Sequence, residues 1–315
     1  MYLNEFADDL APRDMSGSEE FASLLASARE LGIPHAPAIR YASRQTIVRH
    51  QRFHVLEWGD VEHPPVLLLH GGNQSAHSWD LVSLHLADRY HIVAPDQRGH
   101  GDSEWSRDVD YTLGALARDA AALIGDRGLR SPIIVGHSMG GMVALLLAKL
   151  HPEILRALVI VDVAPELSER GTAVIRDFVK RNVEFDDPEE FLDRVARYDP
   201  FRKREHMART LKYNLLRRAD GKYVSKHDRR RVDDPFGSEI VTLDCVRQFA
   251  FPTLVVRGGE STVLEPDAAE RFTDALPEGR LVTVPDCGHN VHSQNTPGFL
   301  AALVPFLESA ARDGS

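Results

Sequence analysis

Residues 132–148 read Pro-Ile-Ile-Val-Gly-His-Ser-Met-Gly-Gly-Met-Val-Ala-Leu-Leu-Leu-Ala, and they constrain the fold more than any other stretch. Ile133, Ile134 and Val135 form a short apolar run without alternation. Such a run reads as a strand buried on both faces. Gly136, Ser138 and Gly140 follow at G-x-S-x-G spacing, and Gly141 adds a further small residue. From Met142 to Leu150 the chain is mostly apolar, rich in helix formers and free of Gly and Pro. Strand, tight turn and helix together lift a serine hydroxyl out at the sheet edge. The flanking glycines let the helix start close against the strand. This context makes Ser138 the expected nucleophile. A merely structural Gly-rich turn is the alternative reading of the same five residues.

Gly136-His-Ser-Met-Gly-Gly141 resembles the nucleophile elbow of the α/β-hydrolase superfamily, and the resemblance extends from about Tyr41 to Phe306. It implies an α/β fold: a mostly parallel eight-stranded sheet with helices on both faces and an inserted helical cap. The length of 315 residues suits one large α/β domain or a domain with an insert. The expected division is an N-terminal extension over 1–40, a core over 41–163 and 249–315, and a cap over 164–248.

A net charge of -10 argues against general nucleic-acid binding. No apolar stretch approaches the ~20 residues that span a bilayer, so no membrane partner is expected. The first ten residues are acidic and lack a signal-peptide pattern, and the two cysteines cannot define a disulfide framework. The expected location is the cytoplasm. The expected partner is a small-molecule ester, bound by a monomer or a homodimer.

Along the chain, Glu19 to Leu31 patterns as an amphipathic helix with Phe21, Leu24, Leu25 and Leu31 near one face. It packs on the cap or helps a dimer; the sequence leaves both open. Residues 44–58 read as two antiparallel strands, and Val66 to Leu69 as a buried one that runs into His70-Gly-Gly-Asn73. By the resemblance, the loop after that strand supplies one oxyanion-hole N–H and the residue after the nucleophile the other, which assigns Gly72 and Met139. Two such donors must converge where negative charge develops on an attacked carbonyl. The resemblance also places Asn73, His77 and Trp79 near the substrate pocket. Asp96, Arg98 and His100 follow the next strand in a stretch resembling a structural loop of the superfamily, so a structural role is expected.

Between the strand 157–161 and the strand at 252–256, the alternation of strand and helix breaks. Helical patterns occupy about 169–181, 188–197 and 203–217, followed by a polar turn at Asp220-Gly-Lys222. This is the expected cap. It carries more basic than acidic residues, unlike the chain as a whole, with Arg217-Arg218 and Arg229-Arg-Arg231 as concentrations. Attraction of an anionic substrate is one reading. Solvated helix surface or salt bridges to the acidic body is the reading preferred.

A serine nucleophile needs a base, and the base needs a carboxylate. His289, in Pro285-Asp-Cys-Gly-His289 after the last strand, holds the superfamily's histidine position. His292 and His289 alone would make a poor metal site, and no metal or organic cofactor is expected. The usual acid position, about 28 residues before the histidine, falls on Ser261 rather than on Asp. Glu260 lies one residue away. Asp162 ends the strand after the nucleophile helix, and a subset of small esterases takes its acid there while carrying Ser at the later site, in an Arg-Gly-Gly-x-Ser context. The chain has both features. The expected triad is Ser138, His289 and Asp162, with Glu260 as alternative acid and Ser261 as a hydrogen-bonding auxiliary. The expected function is carboxylic-ester hydrolysis through an acyl-enzyme. A lactonase or C–C hydrolase on the same fold is one alternative; a non-enzymatic small-ligand receptor is the other.

Overall fold

The computed structural model describes residues 11–166, 173, 184–230 and 239–312. The elements in chain order are β1 (Arg13–Asp14), α1 (Glu19–Glu30), β2 (Tyr41–Val48), β3 (Gln51–Trp58), β4 (Pro65–Leu69), α2 (Asp80–Leu86), β5 (His91–Pro95) and α3 (Leu113–Asp126). Then come β6 (Ile133–His137), α4 (Met139–Leu150), β7 (Ala157–Val161), β8 (Glu184–Phe185), α5 (Pro188–Tyr198), α6 (Arg204–Leu211), β9 (Leu215–Arg217) and β10 (Tyr223–Ser225). The chain closes with α7 (Leu243–Val246), β11 (Thr253–Gly258), α8 (Pro266–Ala275), β12 (Gly279–Val284), α9 (Val291–Gln294) and α10 (Thr296–Arg312).

Among the described residues, nine strands form one sheet in the order β1-β2-β3-β5-β4-β6-β7-β11-β12. The pairs from β1 to β5 are antiparallel and all those from β5 to β12 are parallel. Eight strands were expected. The ninth is the two-residue edge strand β1, paired with Ser43 and Ala42. Two exposed residues carry no alternation, so pattern could not reveal it.

The apolar runs work as buried central strands should. In β4, Val66 and Leu68 enter one core cluster while Leu67 and Leu69 enter the other. Ile133 and Val135 face the first and Ile134 the second; Val159 and Val161 oppose Leu158 and Ile160 in the same way. Successive side chains leave a strand on opposite faces, so a run without polar positions needs helices on both sides. No described helix is long and apolar enough to cross a membrane.

The N-terminal helix α1 is part of the body. Ser18 caps it by accepting from the Phe21 N–H at 3.1 Å. Phe21 packs against Tyr41 and Trp58, whose rings stack 3.6 Å apart. Its polar face meets the segment expected as cap: Glu30 pairs with Lys203 at 2.7 Å and Glu20 with Lys212 at 3.8 Å.

The segment between β7 and β11 adds no described strand to the main sheet. Its strands form a separate sheet in the order β8-β10-β9. Phe185, Phe191, Leu192, Val195, Met207, Leu211 and Leu215 make a small core of its own. The helix expected over 203–217 ends at Leu211, and Leu215–Arg217 is a strand. Leu215 is buried and Leu216 exposed, and the segment pairs antiparallel with Tyr223–Ser225 instead of continuing the helix. Asp220-Gly-Lys222 closes the hairpin, with Gly221 at φ +90° and the Arg218 N–H donating to the Lys222 carbonyl at 2.8 Å. The helix expected at about 169–181 lies outside the described residues except at position 173, and so does Arg231. Arg218 pairs with Glu184 and Asp220, and Arg230 with Asp228, while Arg217 and Arg229 are exposed. Two of the four described arginines of these concentrations are therefore held in ion pairs within the insert.

Candidate active site

Strand β6 stops at His137 and α4 begins at Met139, so Ser138 alone makes the turn, at φ +51° and ψ −116°. A non-glycine residue there is strained, and such strain persists only where its surroundings enforce it. The enforcement is steric. A Cβ on Gly136 would lie 2.4 Å from the Gly140 carbonyl oxygen, and one on Gly140 would lie 2.3 Å from the Leu69 carbonyl oxygen. Glycine at both positions lets α4 start against β6 and β4.

Three side chains from three strand ends meet at this turn. His289 Nε2 lies 2.9 Å from Ser138 Oγ, and His289 Nδ1 lies 2.8 Å from Asp162 Oδ2. Nδ1 faces a carboxylate, so it carries the proton; Nε2 is left to accept from the serine hydroxyl. Asp162 follows β7 at φ +54° and is fully buried. Its Oδ1 accepts from the Gly258 N–H at 2.9 Å, and Oδ2 also accepts from Ser261 Oγ. Ser261 Oγ in turn accepts from the Val263 N–H at 3.2 Å. Glu260 stays in an exposed turn, where its N–H donates to the Cys287 carbonyl at 2.8 Å. The later strand end thus brings a hydroxyl, not a carboxylate, to the His–Asp pair.

Gly72 and Met139 each lie three residues beyond the last position that pairs β4 with β6. Leu69 sits opposite Gly136 in the β4–β6 pair, and each chain turns within the next three residues. The turn carrying Gly72 includes Asn73 at φ +62°, and both are half-buried. His77 and Trp79 are both buried. Trp79 is fully buried, with its ring 4.0 Å from that of His292 and packed on Phe299. His77 contacts Asp80 through Nδ1 at 3.0 Å, and its ring stacks on Tyr213 at 3.4 Å. The single turn Ala76–Trp79 faces inward because an indole gains more from the core than from a wet cleft.

The surrounding loops are tied by hydrogen bonds that no motif assigned. The His137 Nε2–H donates to the His289 carbonyl at 2.9 Å. Gln74 Oε1 accepts from the Gly71 N–H at 3.0 Å while its Nε2 donates to Asn290 Oδ1 at 2.9 Å. Burial, with His289 and His292 nearby, pushes the His137 pKa well below the usual histidine value. Burial likewise lowers His70, whose Nδ1–H donates to the Gly71 carbonyl while Nε2 accepts from the Gln97 N–H. His292 is pushed down to about 3 by burial and then by Arg202 and His289. Asp96 and Arg98 serve the scaffold: Asp96 accepts from His54 and from the Ala76 and Asp102 N–H groups, and Arg98 pairs with Asp119. His137 lies inside the elbow motif, yet only tertiary contact reveals its partner.

A mostly parallel sheet flanked by helices thus carries a serine on a strained strand–helix turn, a histidine after the last strand and a buried aspartate on the histidine's far side, the layout of an α/β hydrolase. A family model described as the alpha/beta hydrolase fold matches residues 64–296, and the chain belongs to that family. Esterase Rv0045c of Mycobacterium tuberculosis is 30% identical over 311 residues, covering 95% of this chain and 99% of the relative. Its crystal structure matches with a TM-score of 0.72 at 27% identity, over 92% of this chain and 98% of that one. The mouse sn-1-specific diacylglycerol lipase ABHD11 is 29% identical over 258 residues, 79% of this chain and 82% of the relative. An α/β hydrolase from Novosphingobium aromaticivorans matches with a TM-score of 0.74 at 26% identity, over 85% of this chain and 98% of that one. Hydrolysis is the class of activity these relatives support.

Proposed function

We propose that the chain is a serine hydrolase that cleaves a small or medium carboxylic ester through an acyl-enzyme. The observation that carries this reading is the unbroken hydrogen-bonded line from Ser138 Oγ through both nitrogens of His289 to Asp162. Ser138 attacks the acyl carbonyl as His289 Nε2 takes its proton, and Asp162 stabilises the imidazolium and fixes its tautomer. The N–H groups of Gly72 and Met139 receive the charge on the carbonyl oxygen. His289 then gives its proton to the leaving alcohol. A water, deprotonated by the same nitrogen, releases the acid and frees Ser138. Ser261 steadies the aspartate. The insert acts as a cap: its turn after α5 sits on Gly288, with a Phe201 ring atom 3.3 Å from where a Cβ would be.

The test uses a panel of p-nitrophenyl esters and a fluorophosphonate probe. Wild type is expected to turn over esters and to be labelled at Ser138. Ser138→Ala is expected to lose at least ~10³-fold in kcat, with its circular dichroism unchanged. Equal turnover by the variant, or labelling at another residue, would refute the reading; a ligand receptor would show neither turnover nor its loss.

A further inference from the structure

Asp199 follows α5 in the insert and is 1% exposed. A carboxylate buried so completely needs donors. Three converge on it: the Phe201 N–H at 3.3 Å, Arg202 Nε at 2.8 Å and Gln294 Nε2 at 2.8 Å. The first two belong to its own turn. Gln294 is the last residue of α9, in the body. Its other amide atom, Oε1, accepts from the Gly288 N–H at 2.8 Å. Gly288 immediately precedes His289 in the chain. The amide can satisfy both partners in one orientation only, with nitrogen toward the carboxylate and oxygen toward the N–H. The insert's carboxylate thus sets how Gln294 holds the backbone that carries the histidine. The other ties on this loop, from His137 to the His289 carbonyl and from Gln74 to Asn290, come from the body alone.

We infer that Gln294 is a positioning residue for His289, and that Asp199 is the handle by which the insert sets that position. The inference rests on the reading of His289 as the base. When the insert is seated, Asp199 orients Gln294, Gln294 fixes Gly288, and Nε2 of His289 stays aligned on Ser138. When the insert lifts, the amide loses its reference and the histidine loses alignment. Seating of the insert and competence of the base are then one event, without any contact between the insert and the imidazole being required.

A donor–acceptor swap tests this. Gln294→Glu keeps an oxygen for the Gly288 N–H but turns a carboxylate toward Asp199. It is expected to lower kcat about tenfold with KM within twofold, and to slow fluorophosphonate labelling of Ser138 in parallel. Asp199→Asn in the same chain supplies an NH2 to that new carboxylate. The double variant is expected to recover kcat and labelling to within about threefold of wild type, which independent losses cannot do. Gln294→Leu, which removes both bonds without adding charge, is expected to match Gln294→Glu, with folding checked by circular dichroism. A double variant no better than Gln294→Glu, or a loss that falls on KM with kcat and labelling unchanged, overturns the inference. Failure of the underlying reading looks different: Ser138→Ala would then turn over ester as wild type does, whatever the swap shows.

Discussion

Asp162 leaves β7 in a left-handed turn, and from there one carboxylate accepts from His289, Ser261 and the Gly258 backbone. An amide in its place must aim its NH2 at one of those donors. Either it opposes the Gly258 N–H, or it faces His289 and favours the wrong tautomer. Asp162→Asn is therefore expected to cost at least ~10²-fold in kcat. Glu260→Gln, in an exposed turn, is expected to cost less than ~10-fold, and Ser261→Ala to fall between, since it removes one bond and no charge. Steady-state kinetics on the three variants decides the order. A crippled Glu260→Gln beside a nearly normal Asp162→Asn would move the acid to the later strand. Ser138 and His289 were readable as positions in the sequence because each follows a strand with a short flanking motif, whereas Asp162 was preferred over Glu260 only through the resemblance to esterases that carry Ser at the later site. Gln74, Asp199 and Gln294 were not readable, since a glutamine in a loop or an aspartate after a helix has no spacing to betray its partner. Nor does nearness in sequence to the oxyanion loop say which way the one-turn helix carrying His77 and Trp79 faces.

At the scale of elements, the helix α6 is held to the body in two ways of unequal strength. At its edge, Lys203 and Lys212 meet Glu30 and Glu20 of α1 in the open. Beneath it, Arg209 reaches Asp80 at 2.8 Å with both side chains buried, at 7% and 3% exposure. Burial opposes the Asp80 charge, but His77 and Arg209 outweigh it and hold the carboxyl below its ordinary value. Removing one partner strands the other charge, a loss of about 3–5 kcal/mol for such buried pairs. Arg209→Met is expected to lower the melting temperature by several degrees, whereas Lys203→Met barely shifts it. Equal, small shifts in a thermal melt would show that Asp80 is satisfied by His77 alone. The central strands β4 to β7 and β11 could be read in the sequence because their runs are largely apolar and buried on both faces. The insert's small sheet could not, because Leu215–Arg217 and Tyr223–Ser225 are three-residue strands joined to a helical stripe. The edge strand β1 owes its existence to β2 rather than to its own residues.

Over the whole molecule, the site is packed among neutral histidines, and this gives folding an acid limit above that of the carboxylates. His70, His137 and His292 all have pKa values lowered chiefly by burial, His292 to about 3. In the unfolded chain each returns to about 6.5. Between that value and the folded one, the unfolded chain binds more protons, so stability is complete above about pH 6.5 and falls as pH drops below it. The slope for each histidine approaches about 1.4 kcal/mol per pH unit. His54 works the other way: burial lowers it, but Asp96 outweighs burial and raises it, so one histidine offsets part of the trend. Neither ring nitrogen of His292 has a protein partner among the described residues, and its ring stacks on Trp79. His292→Phe should therefore keep the stacking while deleting one titration. Urea midpoints at pH 7.5, 6.5 and 5.5 are expected to fall steadily for wild type, and less steeply for His292→Phe, by up to about one proton's worth of slope. Identical slopes for the two proteins would mean that His292 is not held neutral in the folded state. A shallower slope for the variant would make acid loss of activity, in part, loss of the fold around the site.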